Sequence, residues 1–261
     1  MAETHVQSDQ PAGVPPLALT GERTLPDVPA ENYWYRRHLA VYEWIGARVI
    51  GKRVVDMACG EGYGSEVLAR GAESVLGVEA NPEAFEHAWL RYERQNLRFE
   101  RGLVETHGEL AAFDAVVFLQ TIEHVQDPVA VLCHFARLLA PGGTVYVSTP
   151  NLLTIAPPGA EKSSNPWHIK EYRAHEFDAL CRTVFGQVEL LGLFHSRRLR
   201  AHELALRLGW DAVHARLGLT KPFYDRFTPS ITASDFALRP YGLDRALDFL
   251  AVCEDPRPRH P

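Results

Sequence analysis

From Lys52 onward the chain alternates short apolar, β-branched runs with segments whose apolar positions recur at helical spacing. The runs predict strands at 53–57 (RVVDM), 74–79 (SVLGVE), 97–100 (LRFE), 114–119 (DAVVFL), 144–149 (TVYVST), 187–194 (QVELLGLF) and 246–253 (ALDFLAVC). Helices are expected between them, at 63–70, from Pro82 to about Gln95, from Pro128 to the Pro141-Gly142-Gly143 stop, and at 175–185. Asn81-Pro82 and Asp127-Pro128 each join a side chain that can cap a helix N-terminus to a proline suited to the first turn. Past Asp127, Val131, Leu132, Phe135, Leu138 and Leu139 make one apolar stripe. Such alternation argues for an α/β, doubly wound parallel sheet with helices on both faces, and places ligands outside the carboxyl ends of its strands.

Two stretches break the alternation. Residues 150–173 are longer than an ordinary connection and carry Trp167, His168 and Tyr172. In 196–245, Leu206, Trp210, Val213 and Leu217 mark an amphipathic helix that the sheet does not require. Both are expected to lie over the active face as lid insertions. At the other end, residues 1–16 are rich in Pro, Gly, Gln and Ser and are expected to form a disordered tail. One domain over 17–261 follows, with an N-terminal arm over 17–51.

Composition narrows the partners. With 46% hydrophobic residues in 261, the chain can bury one large core without staples. Lys and Arg number 27 against 33 Asp and Glu, a formal charge of −6, which provides no basic field for a nucleic acid. Cys59, Cys133, Cys181 and Cys253 stand at no redox or zinc spacing and read as reduced thiols. No secretory leader or membrane-length apolar run is seen, so a cytoplasmic monomer or homodimer is expected.

The chemistry starts after the first strand, where Gly60, Gly62 and Gly64 form a G-x-G-x-G loop opening a helix. A dinucleotide loop would want G-x-G-x-x-G, and Ser65 follows Gly64 instead. The strand ends in Asp56, suited to an ammonium, and Glu79 closes the next strand, where a carboxylate can take both ribose hydroxyls. The ligand reads as an adenosine with a cationic, phosphate-free tail.

VVDMACGEGYGS, Glu79, QTIEHVQDP and LLAPGGTVYVSTPN together resemble the class I S-adenosylmethionine-dependent methyltransferases over roughly 52–195. The resemblance implies a Rossmann-like sheet of seven strands, mostly parallel, with the seventh antiparallel. It implies S-adenosylmethionine as cofactor, with Asp56, Gly60, Gly62 and Gly64 at the methionine end, Glu79 and Ala80 at the ribose and Leu103 at the adenine edge. The Gln120 carbonyl would take the amino group. Ala58 and Leu103 depart from the common pattern, which more often has Gly and Asp there. The aromatic segment Asn32–His38 would fold across the cofactor, bringing Tyr35, Arg37 or His38 to the methionine carboxylate, with Trp34 covering the sheet edge.

LTGERTLPDVPAENYWYRRHLAVY, NPWHIKEY and LGLFHSRRLR further resemble actinobacterial methyltransferases associated with sugars of oligo- and polysaccharides and glycosylated cofactors. A sugar hydroxyl must lose its proton before in-line displacement at the sulfonium methyl, so a histidine base is expected. His124, after the fourth strand, is the first candidate, and His168, flanked by Trp167, is the second; His195 ends the sixth strand. The run Arg197, Arg198, Arg200 reads as a solvated face. No metal is expected, because Glu123 and Asp127 bracket a helix cap rather than a ligand set. The alternative acceptor is a small aromatic or quinone hydroxyl, since 120–151 also resembles ubiquinone-pathway O-methyltransferases. Glycine spacing disfavours a nicotinamide oxidoreductase, the intact cofactor set disfavours a binding-only module, and QTIEH disfavours a base-flipping nucleic-acid enzyme.

Overall fold

The computed structural model describes residues 4–6, 10–18 and 24–258. Its strands, in chain order, are β1 (Arg53–Met57), β2 (Ser74–Glu79), β3 (Leu97–Arg101), β4 (Phe113–Phe118), β5 (Leu139–Pro150), β6 (Phe185–His195), β7 (Phe236–Arg239) and β8 (Asp248–Pro256). They form one sheet in the order β3-β2-β1-β4-β5-β8-β6-β7. The first five pair in parallel, and β8 runs antiparallel between β5 and β6. The chain moves outward from β1 in one direction and from β4 in the other, so a crevice opens between their carboxyl ends.

The sheet has eight strands rather than the seven expected. The additional one, β7, pairs antiparallel with β6 from Gly192↔Arg239 to His195↔Phe236. Four residues with only Phe236 buried carry too little alternation to be read as a strand.

Alternate side chains of the strands feed two cores, one on each face. Val54, Val75, Ala115 and Leu250 pack under α1 (Asn32–Gly46), α2 (Tyr63–Ala69) and Ala88 of α3 (Pro82–Arg91). Val55, Met57, Val116 and Phe249 pack under α4 (Pro128–Leu138) and α6 (Ala174–Arg182). Both predicted caps are present: Asn81 Oδ1 accepts from Ala84 N at 3.0 Å and Asp127 Oδ1 from Ala130 N at 2.9 Å. The Val131 to Leu139 stripe is buried throughout. α3 stops at Arg91 rather than near Gln95, because Tyr92 turns to extended geometry and sends its hydroxyl to Glu61 at 3.1 Å.

The segments outside the alternation differ from expectation. Of the tail expected over 1–16, residues 1–3 and 7–9 lie outside the described residues. Thr4–His5 pairs with Leu17–Ala18, Val14 and Leu17 are buried, and Pro15 O accepts from His87 Nδ1 at 2.8 Å. The described part is therefore packed, held by the few apolar residues between its prolines. Residues 196–245 form α7 (Arg197–Arg207), α8 (Trp210–Leu217) and α9 (Thr220–Phe227), then return to the sheet through buried Ile231 and Ala233 into β7. The single helix expected across Leu206 to Leu217 is broken at Gly209, whose φ of +88° ends α7. After β5 comes the short α5 (Leu152–Ile155), and no described helix is long and apolar enough to cross a membrane.

Candidate active site

The loop after β1 turns through left-handed backbone at Ala58, Gly60 and Gly62, with φ of 56°, 61° and 95°. Gly62 must be glycine twice over, since a Cβ there would meet Ala88 Cβ at 2.9 Å. At Gly64 the constraint is close approach alone: a Cβ would sit 2.1 Å from the Tyr42 ring. Among the described residues nothing lies within 4 Å of the side Gly60 presents. Glu79 is fixed beside it, Oε2 accepting from Gly60 N at 2.9 Å and Oε1 from Asn81 N at 2.8 Å. The adjacent Ala80 is exposed, and Leu103, 60% exposed just past β3, offers an apolar edge. On the other side of the crevice Gln120 follows β4 at φ 51°, its N–H donating to Ser148 Oγ at 3.0 Å and its Nε2 to the same oxygen at 3.0 Å. Tyr35 reaches the loop by stacking edge-on against Tyr63, ring centroids 5.0 Å apart.

Two of the residues expected to meet the cofactor, Asp56 and Arg37, are buried and bonded within the protein. Asp56 is 0% exposed and its two oxygens accept from Ser65 Oγ at 2.7 Å and Tyr42 OH at 3.3 Å. Burial pushes its carboxyl up to about 7. It ties α1 and α2 to β1 and so positions the loop. Arg37, 4% exposed, is spent on Asp248: Nε donates to Oδ2 at 2.6 Å and Nη2 to Oδ1, with a further bond to Leu247 O at 2.9 Å. Desolvation pushes the half-buried His38 imidazole down to about 4.

The two expected histidines come together. A 3-10 turn at Ile122–His124 follows β4, and the 165–172 segment folds back onto it, with Ile169 N and Lys170 N donating to Glu123 O at 2.8 and 3.1 Å. His124 Nδ1 donates to Trp167 O at 3.1 Å, and its ring meets that of His168 edge-on at 5.0 Å. His168 Nδ1 donates to Glu171 Oε1 at 2.6 Å, while Glu171 also takes the Ser163 N–H at 2.7 Å and the Ser163 hydroxyl. Those hydrogen bonds hold the Glu171 carboxyl below its usual range against the effect of burial. Glu123, 1% exposed, accepts from Thr149 Oγ1 at 3.1 Å. Its carboxylate and the two imidazoles each offer a ligand atom within 4.8 Å of the others, a grouping that could hold a metal ion.

Comparison with known proteins decides the family. A methyltransferase domain model matches residues 55–147. A probable S-adenosylmethionine-dependent methyltransferase of Mycolicibacterium smegmatis is 36% identical over 250 residues, 92% of this chain and 96% of that protein. The chain belongs to the S-adenosylmethionine-dependent methyltransferases. A relative of the same description in Mycobacterium tuberculosis is 35% identical over 251 residues, 92% of this chain and 90% of its own. A ubiquinone biosynthesis O-methyltransferase of Xanthomonas campestris is 36% identical over 164 residues, covering 56% of this chain and 68% of that protein. In fold, the chain is similar to a Thermotoga maritima S-adenosylmethionine-dependent methyltransferase described as a possible histamine N-methyltransferase. The TM-score is 0.59 at 16% identity, over 87% of this chain and 94% of that one.

The methyltransferase thus uses S-adenosylmethionine as its cofactor and transfers a methyl group. Around its crevice stand residues whose roles sequence reasoning did not give: Tyr42 and Ser65 holding Asp56, Ser148 holding Gln120, and Glu171, read only as a polar neighbour of His168, orienting that ring. Only Glu171 carried a readable signal, three positions after a histidine. The third histidine lies apart from the other two, His195 Nε2 bonding Tyr33 OH at 2.9 Å and Nδ1 facing Glu203 at 3.3 Å. It lines a cavity of about 980 Å³ together with Arg197, Arg200, Arg239 and Asp244.

Proposed function

We propose that this methyltransferase acts on a hydroxyl of a sugar, within an oligo- or polysaccharide or a glycosylated cofactor, with His124 and His168 activating that hydroxyl. The observation that carries the reading is the meeting of His124 and His168, with the Trp167 carbonyl bonded to His124 and Trp167 itself 65% exposed next to His168 in the chain. An exposed aromatic face next to polar, hydrogen-bonding groups is the composition of a carbohydrate site, whereas a quinone would want an apolar lining. A cavity of about 980 Å³ beside His195, lined by both apolar and charged side chains, has room for an extended acceptor. A neutral glycan needs no basic field to find its site, in keeping with the formal charge of −6. We place the reaction in the cytoplasm, where four thiols outside any disulfide stay reduced.

In this reading Gly60, Gly62, Gly64, Glu79, Ala80, Leu103, Gln120 and Tyr35 surround the cofactor. The sulfonium methyl points toward the acceptor oxygen at His124, and the reaction is an in-line displacement. The deciding experiment is transfer of tritiated methyl from S-adenosylmethionine into a panel of glucose, mannose, partially methylated oligosaccharides and a catechol, with mass spectrometry of the product. Label in a sugar supports the proposal, and label in the catechol alone replaces it with the aromatic reading. His124→Ala should lower turnover by roughly 10²- to 10⁴-fold while leaving S-adenosylhomocysteine affinity unchanged; full activity would remove His124 from the chemistry.

A further inference from the structure

The geometry points to a divalent metal site formed by Glu123, His124 and His168, which binds a first-row transition ion and takes the acceptor hydroxyl as a further ligand. The inference rests on the oxygen-acceptor reading above and supplies the means by which the two imidazoles activate that oxygen. Three observations carry it. The donor atoms of the three residues lie within 4.8 Å of one another. Ligand atoms around a tetrahedral ion with bonds of 2.0–2.2 Å stand about 3.4 Å apart, so ligation draws them inward by at most about 1.4 Å.

Second, each candidate ligand already has the outer partner that metal ligands carry. His168 gives its Nδ1 hydrogen to Glu171, and Glu171 is itself held by the Ser163 amide and hydroxyl. His124 gives its Nδ1 hydrogen to Trp167 O. Both bonds select the tautomer whose lone pair is on Nε2, one of the two neutral forms through which an imidazole binds a metal. Glu123 is steadied by Thr149 Oγ1. Proton abstraction needs one imidazole, and a second one with its own carboxylate, beside a buried glutamate, goes beyond that need.

Third, the site is built across two segments that the chain clamps together, 122–124 and 165–172, through the paired amides of Ile169 and Lys170 on Glu123 O. Two imidazoles and one carboxylate favour manganese, iron, cobalt or zinc over magnesium or calcium, which prefer all-oxygen sets. Three protein ligands also leave positions open for a substrate oxygen.

The chemistry balances without a further reactant. Bound to the ion, the acceptor hydroxyl becomes more acidic, its O–H bond breaks, and the proton passes to solvent. The alkoxide oxygen then forms a bond to the methyl carbon of the sulfonium. The carbon–sulfur bond breaks with its electron pair left on sulfur, giving the methyl ether and S-adenosylhomocysteine.

The test uses the full, untagged chain freed of metal by chelation and titrated with Co²⁺, followed by calorimetry and visible absorption. One equivalent should bind, with ligand-field bands of a low-coordinate site, and both signals should be lost in His168→Ala and in Glu123→Gln. S-adenosylhomocysteine binding measured on the same variants reports that they are folded. Methyl transfer should fall by 100-fold or more on chelation and return with Mn²⁺ or Zn²⁺. Absence of Co²⁺ binding, binding equal in the wild type and both variants, or full turnover by metal-free protein would overturn the site. Co²⁺ binding requires no acceptor, so a failed sugar panel and a failed metal titration point to different errors.

Discussion

On the cofactor side of the crevice, the contacts that shape the site join near neighbours in the chain. Ser65 bonds Asp56 across nine positions, Gly60 bonds Glu79 across nineteen, and Asn81 bonds Glu79 across two. Around the histidines, apart from the local His168–Glu171 pair, and along α1, several contacts are distant. His124 meets Trp167 across 43 positions, Tyr33 meets His195 across 162, Asn32 reaches Ile231 across 199 and Arg37 reaches Asp248 across 211. The first side is a strained but self-contained turn; the second is a clasp between α1 and the elements that close the chain. Removing one partner of the buried clasp pair Arg37–Asp248 should therefore cost more than a change at Asp56 or Ala58 on the cofactor side.

The largest effect is expected at the clasp. Arg37→Met leaves Asp248 buried without its bidentate partner, and an unpaired buried carboxylate costs roughly 3–5 kcal/mol. Urea unfolding should show that loss, and Asp248→Asn added to Arg37→Met should recover much of it. S-adenosylhomocysteine affinity of the folded Arg37→Met fraction should stay near wild type. A stable variant with weak cofactor binding would instead put Arg37 on the methionine carboxylate and dissolve the contrast between the two sides.

That contrast also explains what could be read in advance. Strand and helix positions, the Asn81 and Asp127 caps and the glycine loop followed from local pattern, because each depends on residues within a few positions. Arg37 was misplaced for the opposite reason: nothing near it in sequence announces Asp248. β7 was missed because its pairing with β6, not its own composition, makes it a strand. His124 and His168 could each be named, but their meeting, and Glu123 beside them, depends on a fold-back at 165–172 that no periodicity encodes. Asp56 shows the limit within the local side: its place after β1 was legible, yet its burial under Tyr42 was not.

A smaller, pH-dependent effect is expected at Asp56. Burial raises its carboxyl from 3.8 to about 7, so between those values the folded chain holds a proton that the unfolded chain releases. Its contribution is fully present below pH 3.8 and is lost as pH climbs through 7. At 1.36 kcal/mol per unit this amounts to about 3 kcal/mol between pH 5 and pH 8. Asp56→Asn, which keeps an amide between Ser65 and Tyr42, should gain stability relative to wild type by that amount over the window. Parallel unfolding curves for the two proteins from pH 5 to 8 would show that Asp56 is not the buried acid described here.

The smallest expected effect is at Ala58, and it separates strain that serves the cofactor from strain that is merely tolerated. Ala58 and Gln120 both take left-handed backbone at strand ends facing the crevice, φ 56° and 51°. For a residue with a Cβ this costs about 1–2 kcal/mol. At Gln120 the side chain answers part of that through its bond to Ser148, whereas Ala58 has no side chain able to do so. Ala58→Gly should relieve the strain, less the roughly 0.4–1 kcal/mol that glycine adds to the freedom of the unfolded chain. The net gain is about 0.5–1 kcal/mol, a rise of roughly 2 °C in Tm for a chain of this size. Cofactor affinity should be unchanged, since Gly60, Gly62 and Glu79 fix the loop independently. A stabilised variant that binds S-adenosylhomocysteine more weakly would mean that the methyl of Ala58 packs against the ligand, and that the departure from glycine at this position is a contact rather than a cost.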